Sequence, residues 1–92
     1  MHRKIYKYEL NRPQNTYGIM PIITKRIIQP LHAGLQNDNI CVWAVVDVDS
    51  DDQESRFAIV GTGKEIPDKS GDLIYIGSVF QHISVWHIFE VN

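Results

Sequence analysis

An antiparallel all-β domain, a small β-sandwich or barrel of about six strands, is what this sequence predicts. Three observations carry the prediction. Apolar and polar residues alternate with a period of two, as where Tyr6, Tyr8 and Leu10 share one face and Lys7 and Glu9 take the other. The alternating runs are short and are punctuated by Pro, Gly, Asn, Asp and Ser. The stretch most open to a helical reading, Thr24 to Gln29, is rich in β-branched residues and is cut by Pro30.

Taken in order, Lys4 to Leu10 forms the first strand and Pro13 ends it. Tyr17 to Pro21 is a second extended piece, held to an edge or terminal position by Pro21 because proline has no N–H for a ladder. Ile22 to Gln36 reads as a strand broken by a bend, with a helical turn as the alternative. Gln36 to Asn39, QNDN, is a turn by composition. Ile40 to Asp47, ICVWAVVD, is apolar on both faces, which predicts a central strand covered on two sides. A polar loop, VDSDDQES, then leads to a strand from Arg56 to Thr62, expected to pair with Ile40–Asp47 as a hairpin. Ile66 to Asp72 is a loop marked by Pro67 and Gly71. Leu73 to Phe80 is a strand that Gly77 is expected to bulge. Ser84 to Val91 is the last strand, with Val85, His87, Phe89 and Val91 on one face and Ser84, Trp86, Ile88 and Glu90 on the other.

The chain's 92 residues make one domain. A chain of this size buries roughly 60–65% of its unfolded surface, so a ligand site is expected as a surface groove or between subunits. Composition, 43% hydrophobic and 22% charged, excludes disorder. The single Cys41 excludes an intrachain disulfide framework; between Ile40 and Val42 it reads as a buried, reduced thiol of a cytosolic protein. No apolar run follows the basic start, so no signal peptide is expected, and Ile40 to Val46 is too short to span a bilayer.

Charge is uneven. Residues 1–37 carry Arg3, Lys4, Lys7, Arg12, Lys25 and Arg26 against Glu9, whereas residues 38–92 carry ten acids against Arg56, Lys64 and Lys69. Either the two halves lie side by side and neutralise one another, or they offer complementary faces between copies or a face for an anion. With the small size, this asymmetry predicts a homo-oligomer, a dimer. The acidic total and the lack of a long aromatic series disfavour general nucleic-acid binding.

Four groups of residues invite a chemical reading. Gly61-Thr62-Gly63-Lys64 resembles a phosphate loop but fails the motif: Ala58 stands where its first glycine belongs, Glu65 follows the lysine, and Pro67 blocks a helix. What remains is a glycine turn whose N–H groups and lysine receive an anion, or a strand end and nothing more. Asp47, Asp49 and Asp51 fit the start of a calcium loop, but Asp52 replaces its glycine and Ala58 its bidentate glutamate, so the stretch reads as a solvated loop. His32, His82 and His87 lack metal-ligand spacing, and Ser78 and Ser84 have no nucleophile motif around them. His87, beside Val85 and Phe89 on its face, reads as a core or interface histidine with satisfied ring nitrogens. Trp43, Trp86, Tyr6, Tyr8 and Tyr75 fill core or, for Trp86 or Tyr75, provide a stacking surface for a base. The expected ligand site is therefore Arg56, Gly61, Thr62, Gly63, Lys64, Tyr75 and Trp86, with no catalytic residue, metal or cofactor.

Tyr8-Glu9-Leu10, Trp43-Ala44-Val45-Val46-Asp47, Gly61-Thr62-Gly63 with Ile66-Pro67, and Trp86-His87-Ile88-Phe89-Glu90 together resemble a small family of unknown function common in bacteriophage and prophage genomes. The resemblance covers nearly the whole chain and weakens between Ile19 and Gln36. It implies a phage origin, host-cell cytoplasm as location, and no catalytic residues to carry over. The function expected from it is capture of a nucleotide-type host immune signal. The alternative is a protein–protein interaction module with no small-molecule ligand.

Overall fold

The computed structural model describes residues 1–10, 18–66 and 71–92. Expectations that rest on Arg12, Pro13, Tyr17, Pro67 and Lys69 lie outside the described residues. Seven strands form: β1 (Arg3–Glu9), β2 (Gly18–Thr24), β3 (Arg26–Gln36), β4 (Asn39–Asp47), β5 (Gln53–Gly61), β6 (Leu73–Gln81) and β7 (Ser84–Val91). They make two antiparallel sheets, β1-β4-β3 and β2-β5-β7-β6. The all-β sandwich expected from the alternation is therefore present, with one strand more than the approximate count. The extra strand comes from the ambiguous Ile22–Gln36 stretch, which divides at a bend on Lys25 between β2 and β3.

The expected hairpin between Ile40–Asp47 and Arg56–Thr62 does not form. β4 pairs with β1 and β3, and β5 pairs with β2 and β7. The reason lies in the connections. Residues 48–52 do turn, with Ser50 N–H donating to the Asp47 carbonyl at 3.1 Å. They run on past that turn, however, and are long enough to cross the roughly 10 Å between stacked sheets. Asn37 and Asp38, by contrast, both adopt positive φ, 53° and 63°. Two such residues match the right-handed twist of a hairpin, so β4 folds back on β3 instead.

Both prolines within strands sit where a ladder tolerates them. Pro21 lies on β2, an edge strand of its sheet. Pro30 lies on β3, between register shifts at Ile27/Gln29 and Pro30/His32. A further shift falls between Tyr75 and Gly77, the position expected to bulge. Gly77 is also where the sheets meet along one side: a Cβ there would lie 3.4 Å from the Ala33 side chain. β3 and β6, each at the end of its sheet, thus close the sandwich along that seam.

Between the sheets lie Val42, Phe57, Ile59 and Ile88, fully buried or nearly so, with Leu10, Val79 and Trp86 around them. β4 is central, as expected, but only one of its faces is fully covered. Cys41 is buried, while Trp43 and Val45 on the same outer side are only half-buried. Trp43 is shielded there by the His32 ring, 5.6 Å away between centroids. Loss of solvation raises the Cys41 thiol above its ordinary pKa, so this thiol is a weak nucleophile.

Charge is balanced within one copy. Lys25 pairs with Asp52 and Arg26 with Asp47, each at 3.0 Å, and the His2 ring is hydrogen-bonded to Asp49. Cations from the first half thus meet carboxylates of the 47–52 segment, which supports the side-by-side reading and removes much of the charge motive for a dimer. Burial acts against ionisation of Asp47, but the Arg26 guanidinium and the Asp49 N–H outweigh it and lower its pKa. Its stabilising contribution is complete above the ordinary aspartate range and is lost as pH falls through the lowered value.

Glu90 behaves in the opposite sense. It shares the inward side of β7 with Trp86 and Ile88, and burial raises its pKa. Its ionisation opposes folding as pH climbs through the raised value. Glu90→Gln is therefore expected to raise the melting temperature at neutral pH, with the gain vanishing below the ordinary glutamate pKa of 4.5. Paired thermal melts across pH check this; a gain that persists in acid would show that ionisation is not its cause.

Candidate functional site

β5 ends at Gly61, and the chain reverses at once. Lys64 N–H donates to the Gly61 carbonyl at 3.0 Å, and Thr62 N–H donates to the Val85 carbonyl at 3.2 Å. Gly63 takes φ +83°, the left-handed value that the third residue of such a turn requires. The glycine is there for geometry. Two of the turn's N–H groups thus serve the fold.

The turn separates two open grooves. One, of about 280 Å³, is lined by Gly61, Thr62, Lys64, Ile83, Ser84, Val85 and Trp86. The other, of about 310 Å³, lies against Val60, Ile66, His87 and Phe89, with Gly61 to Lys64 at its rim. Their chemistry differs. The first combines hydroxyls and a lysine with an aromatic edge. The second is apolar apart from His87 and the shared turn. Among the described residues, neither groove has a carboxylate in its lining.

Trp86 is only 9% exposed and belongs to the core, donating its indole N–H to Gln81 Oε1 at 3.2 Å. It offers the groove a ring edge rather than a free face. A Cβ at Gly61 would stand 3.2 Å from that ring, so the bare glycine keeps the groove open above Trp86. Tyr75 is 58% exposed but lies on the opposite side of β7, packed edge-on against Phe89 with centroids 5.6 Å apart.

Of the seven residues expected to form one site, Gly61, Thr62, Lys64 and Trp86 therefore come together, and Gly63 borders the neighbouring groove. Arg56 does not join them. It pairs with Val91, five residues before Gly61, or about 17 Å along the strand. Strand parity also turns it to the other face from Gly61, because an odd separation reverses the side chain.

Ile83, Ser84 and Val85 line the first groove without having been singled out from sequence. They belong to the β6–β7 hairpin, whose tip brings Gln81 opposite Ser84. The same hairpin register places Ser78 opposite His87. There a chain of side-chain hydrogen bonds runs Tyr75 Oη–Ser78 Oγ, 2.6 Å, Ser78 Oγ–His87 Nδ1, 2.7 Å, and His87 Nε2–Thr62 Oγ1, 2.8 Å. Both ring nitrogens of His87 are occupied, as its place on an apolar face suggested. The signal was available in the sequence as a short hairpin tip, since pairing about it aligns positions 78 and 87. Among the described residues, no group of three or more His, Cys, Asp or Glu is placed to hold a metal ion, and no helix is long and apolar enough to cross a membrane.

Fold and groove define a class: a small antiparallel β-sandwich with an open groove where a glycine turn ends a central strand. Within it, the chain belongs to the family described as a domain of unknown function, DUF7352, whose model it matches over residues 1–92. No curated protein and no solved structure matches it.

Proposed function

We propose that the chain is a binding protein that captures a nucleotide-type small molecule in the groove beside Trp86. The observation that supports this reading is the meeting of Thr62, Lys64 and Ser84 with an aromatic edge in one open groove, with no carboxylate among the described residues that line it. Phosphate oxygens find a charged donor in Lys64 and hydroxyl donors beside it. A base finds apolar contact on Trp86, Val85 and Ile83. At about 280 Å³ the groove sits at the small end of ligand sites, about 300–1,000 Å³, which suits one nucleotide unit held against a surface. The resemblance to phage-encoded proteins supports the finer reading that the ligand is a host immune signal and that the protein acts by sequestration.

Capture without turnover has a direct test. The protein is incubated with cyclic and ADP-ribose-type nucleotides, washed, and heat-denatured. Intact nucleotide in the supernatant supports sequestration, altered nucleotide points to an enzyme, and no uptake sinks the proposal. Lys64→Ala is expected to weaken binding at least about fivefold by calorimetry, the scale of one charge-assisted contact near solvent. Arg56→Ala, remote from the groove, is expected to leave it unchanged. Equal loss in both would mean that general charge, not this groove, holds the ligand.

A protein-binding reading has its own support, in the exposed apolar side chains Phe80, Ile23 and Tyr75 on the outer side of the four-stranded sheet.

A further inference from the structure

The two outer faces of this sandwich are chemically unlike. In antiparallel pairs, directly opposed residues point to the same side, so the registers assign each face. On the outer side of β1-β4-β3, Arg3, Lys7, Glu9, Asp47 and Arg26 stand among Ile5, Trp43 and Val45, so charge runs through the exterior of this sheet. The outer side of β2-β5-β7-β6 runs instead from Ile19 and Ile23 through Ala58 and Val60 to Phe89 and Phe80. Among the described residues of these strands, Glu54 and Arg56 are its acid and base, both near one end. Phe80 is 74% exposed and Ile23 65%.

Its polar groups have a second peculiarity. Tyr75, Ser78, His87 and Thr62 are joined in the hydrogen-bonded chain described above. Covering a polar side chain is costly mainly when its hydrogen bonds are left unmade. Here they are already made within the face, so an apolar surface can lie over it and strand few polar atoms.

We infer that this face is the contact surface of a homodimer, with a second copy of the chain as its occupant. A two-fold contact needs a surface complementary to itself. This one carries both parts: the projecting Phe80 ring, and the apolar groove of about 310 Å³ over Val60, Ile66, His87 and Phe89. Phe80 of each copy enters the groove of the other. The scarcity of charge removes like-charge repulsion between copies and gives a charged partner nothing to select. Ala58, Val60 and Val91 in the middle of the face are already buried within one copy, so the contact rests on its exposed side chains, Phe80, Tyr75 and Ile23. Pairing through strand edges is the poorer route, because β1 carries Lys4 and Lys7 and β2 carries Pro21. Nucleotide capture uses the groove on the Trp86 side of the turn, although Gly61, Thr62 and Lys64 border both grooves.

Sedimentation velocity from low to high micromolar protein, at low and at high salt, tests it. The expected result is a monomer–dimer equilibrium that high salt leaves unchanged or strengthens. Phe80→Glu should weaken it at least about a hundredfold, the effect of burying a charge in place of an anchor ring. Because Phe80 is exposed, its unfolding transition should match the wild type at matched monomer content. Ile5→Glu, on the charged outer face of the other sheet, should leave the dimer intact. A wild type that stays monomeric at high micromolar concentration overturns the inference, as does a dimer indifferent to Phe80→Glu or dispersed by salt. Nucleotide uptake by the monomeric Phe80→Glu variant is read separately, so failure of the dimer and failure of capture are distinguishable.

Discussion

Phe57→Ala is expected to lower the free energy of unfolding by about 3–5 kcal/mol. Phe57 is fully buried, on the inward side of a strand flanked on both sides, within the cluster that joins the two sheets. Its removal forfeits transfer energy and leaves a void that two stiff sheets cannot close. A domain of this kind has only about 5–15 kcal/mol to lose, so the variant should sit near its unfolding threshold at body temperature. Urea titration measures the change. A loss below about 1 kcal/mol would mean that the ring is not the filler between the sheets that its burial indicates.

Trp86→Ala should be comparably severe, about 3–5 kcal/mol, and should disable the candidate groove at the same time. The indole packs in the central cluster, while its edge lines the groove above Gly61. Truncation to alanine couples the two effects, so a second variant separates them. Trp86→Phe keeps a buried ring and loses the hydrogen bond to Gln81, at a cost of about 1 kcal/mol. Tight nucleotide binding by a folded Trp86→Phe protein, together with none by Trp86→Ala, would mark the ring as structural support for the groove. Calorimetry beside urea unfolding reads both quantities. If Trp86→Ala unfolds like the wild type, the ring is not part of the core.

Period-two alternation made the strands legible and separated Trp86 and Ile88 from His87 and Phe89, but not which face is inward. The mixed face with Trp86 packs in the core, and the Val85, His87 and Phe89 face, read as core or interface, lies on the outer side. Partner choice was not legible. Strand pairing depends on which connections turn tightly, and the decisive turn is Asn37-Asp38 rather than the conspicuous acidic loop. That acidic loop looked like free charge because its partners, His2, Lys25 and Arg26, arrive from far along the chain. For the site, neighbours within the turn were readable from sequence, and residues brought in by pairing were not. Ser84 and Val85 reach the groove through the β6–β7 hairpin, whereas Arg56 looked close only because strand length was not converted into distance. The glycines drew attention as anion donors, yet the backbone uses them first to reverse direction.

The split of β4 from β5 bears on how the chain reaches its native state. Only β3–β4 and β6–β7 are joined by short turns, so only these two hairpins can zip from local contacts. β1 must find β4 across β2 and β3, and β2 must find β5 across β3 and β4, which belong to the opposite sheet. Until both searches end, the outward apolar side of the four-stranded sheet and the inward sides of both sheets are open together. Topologies dominated by such distant pairings fold in milliseconds to seconds rather than microseconds. Newly made copies therefore meet one another with sticky surfaces still bare, and the concentration at which the protein is synthesised bears directly on how much of it ends as folded domain and how much as aggregate.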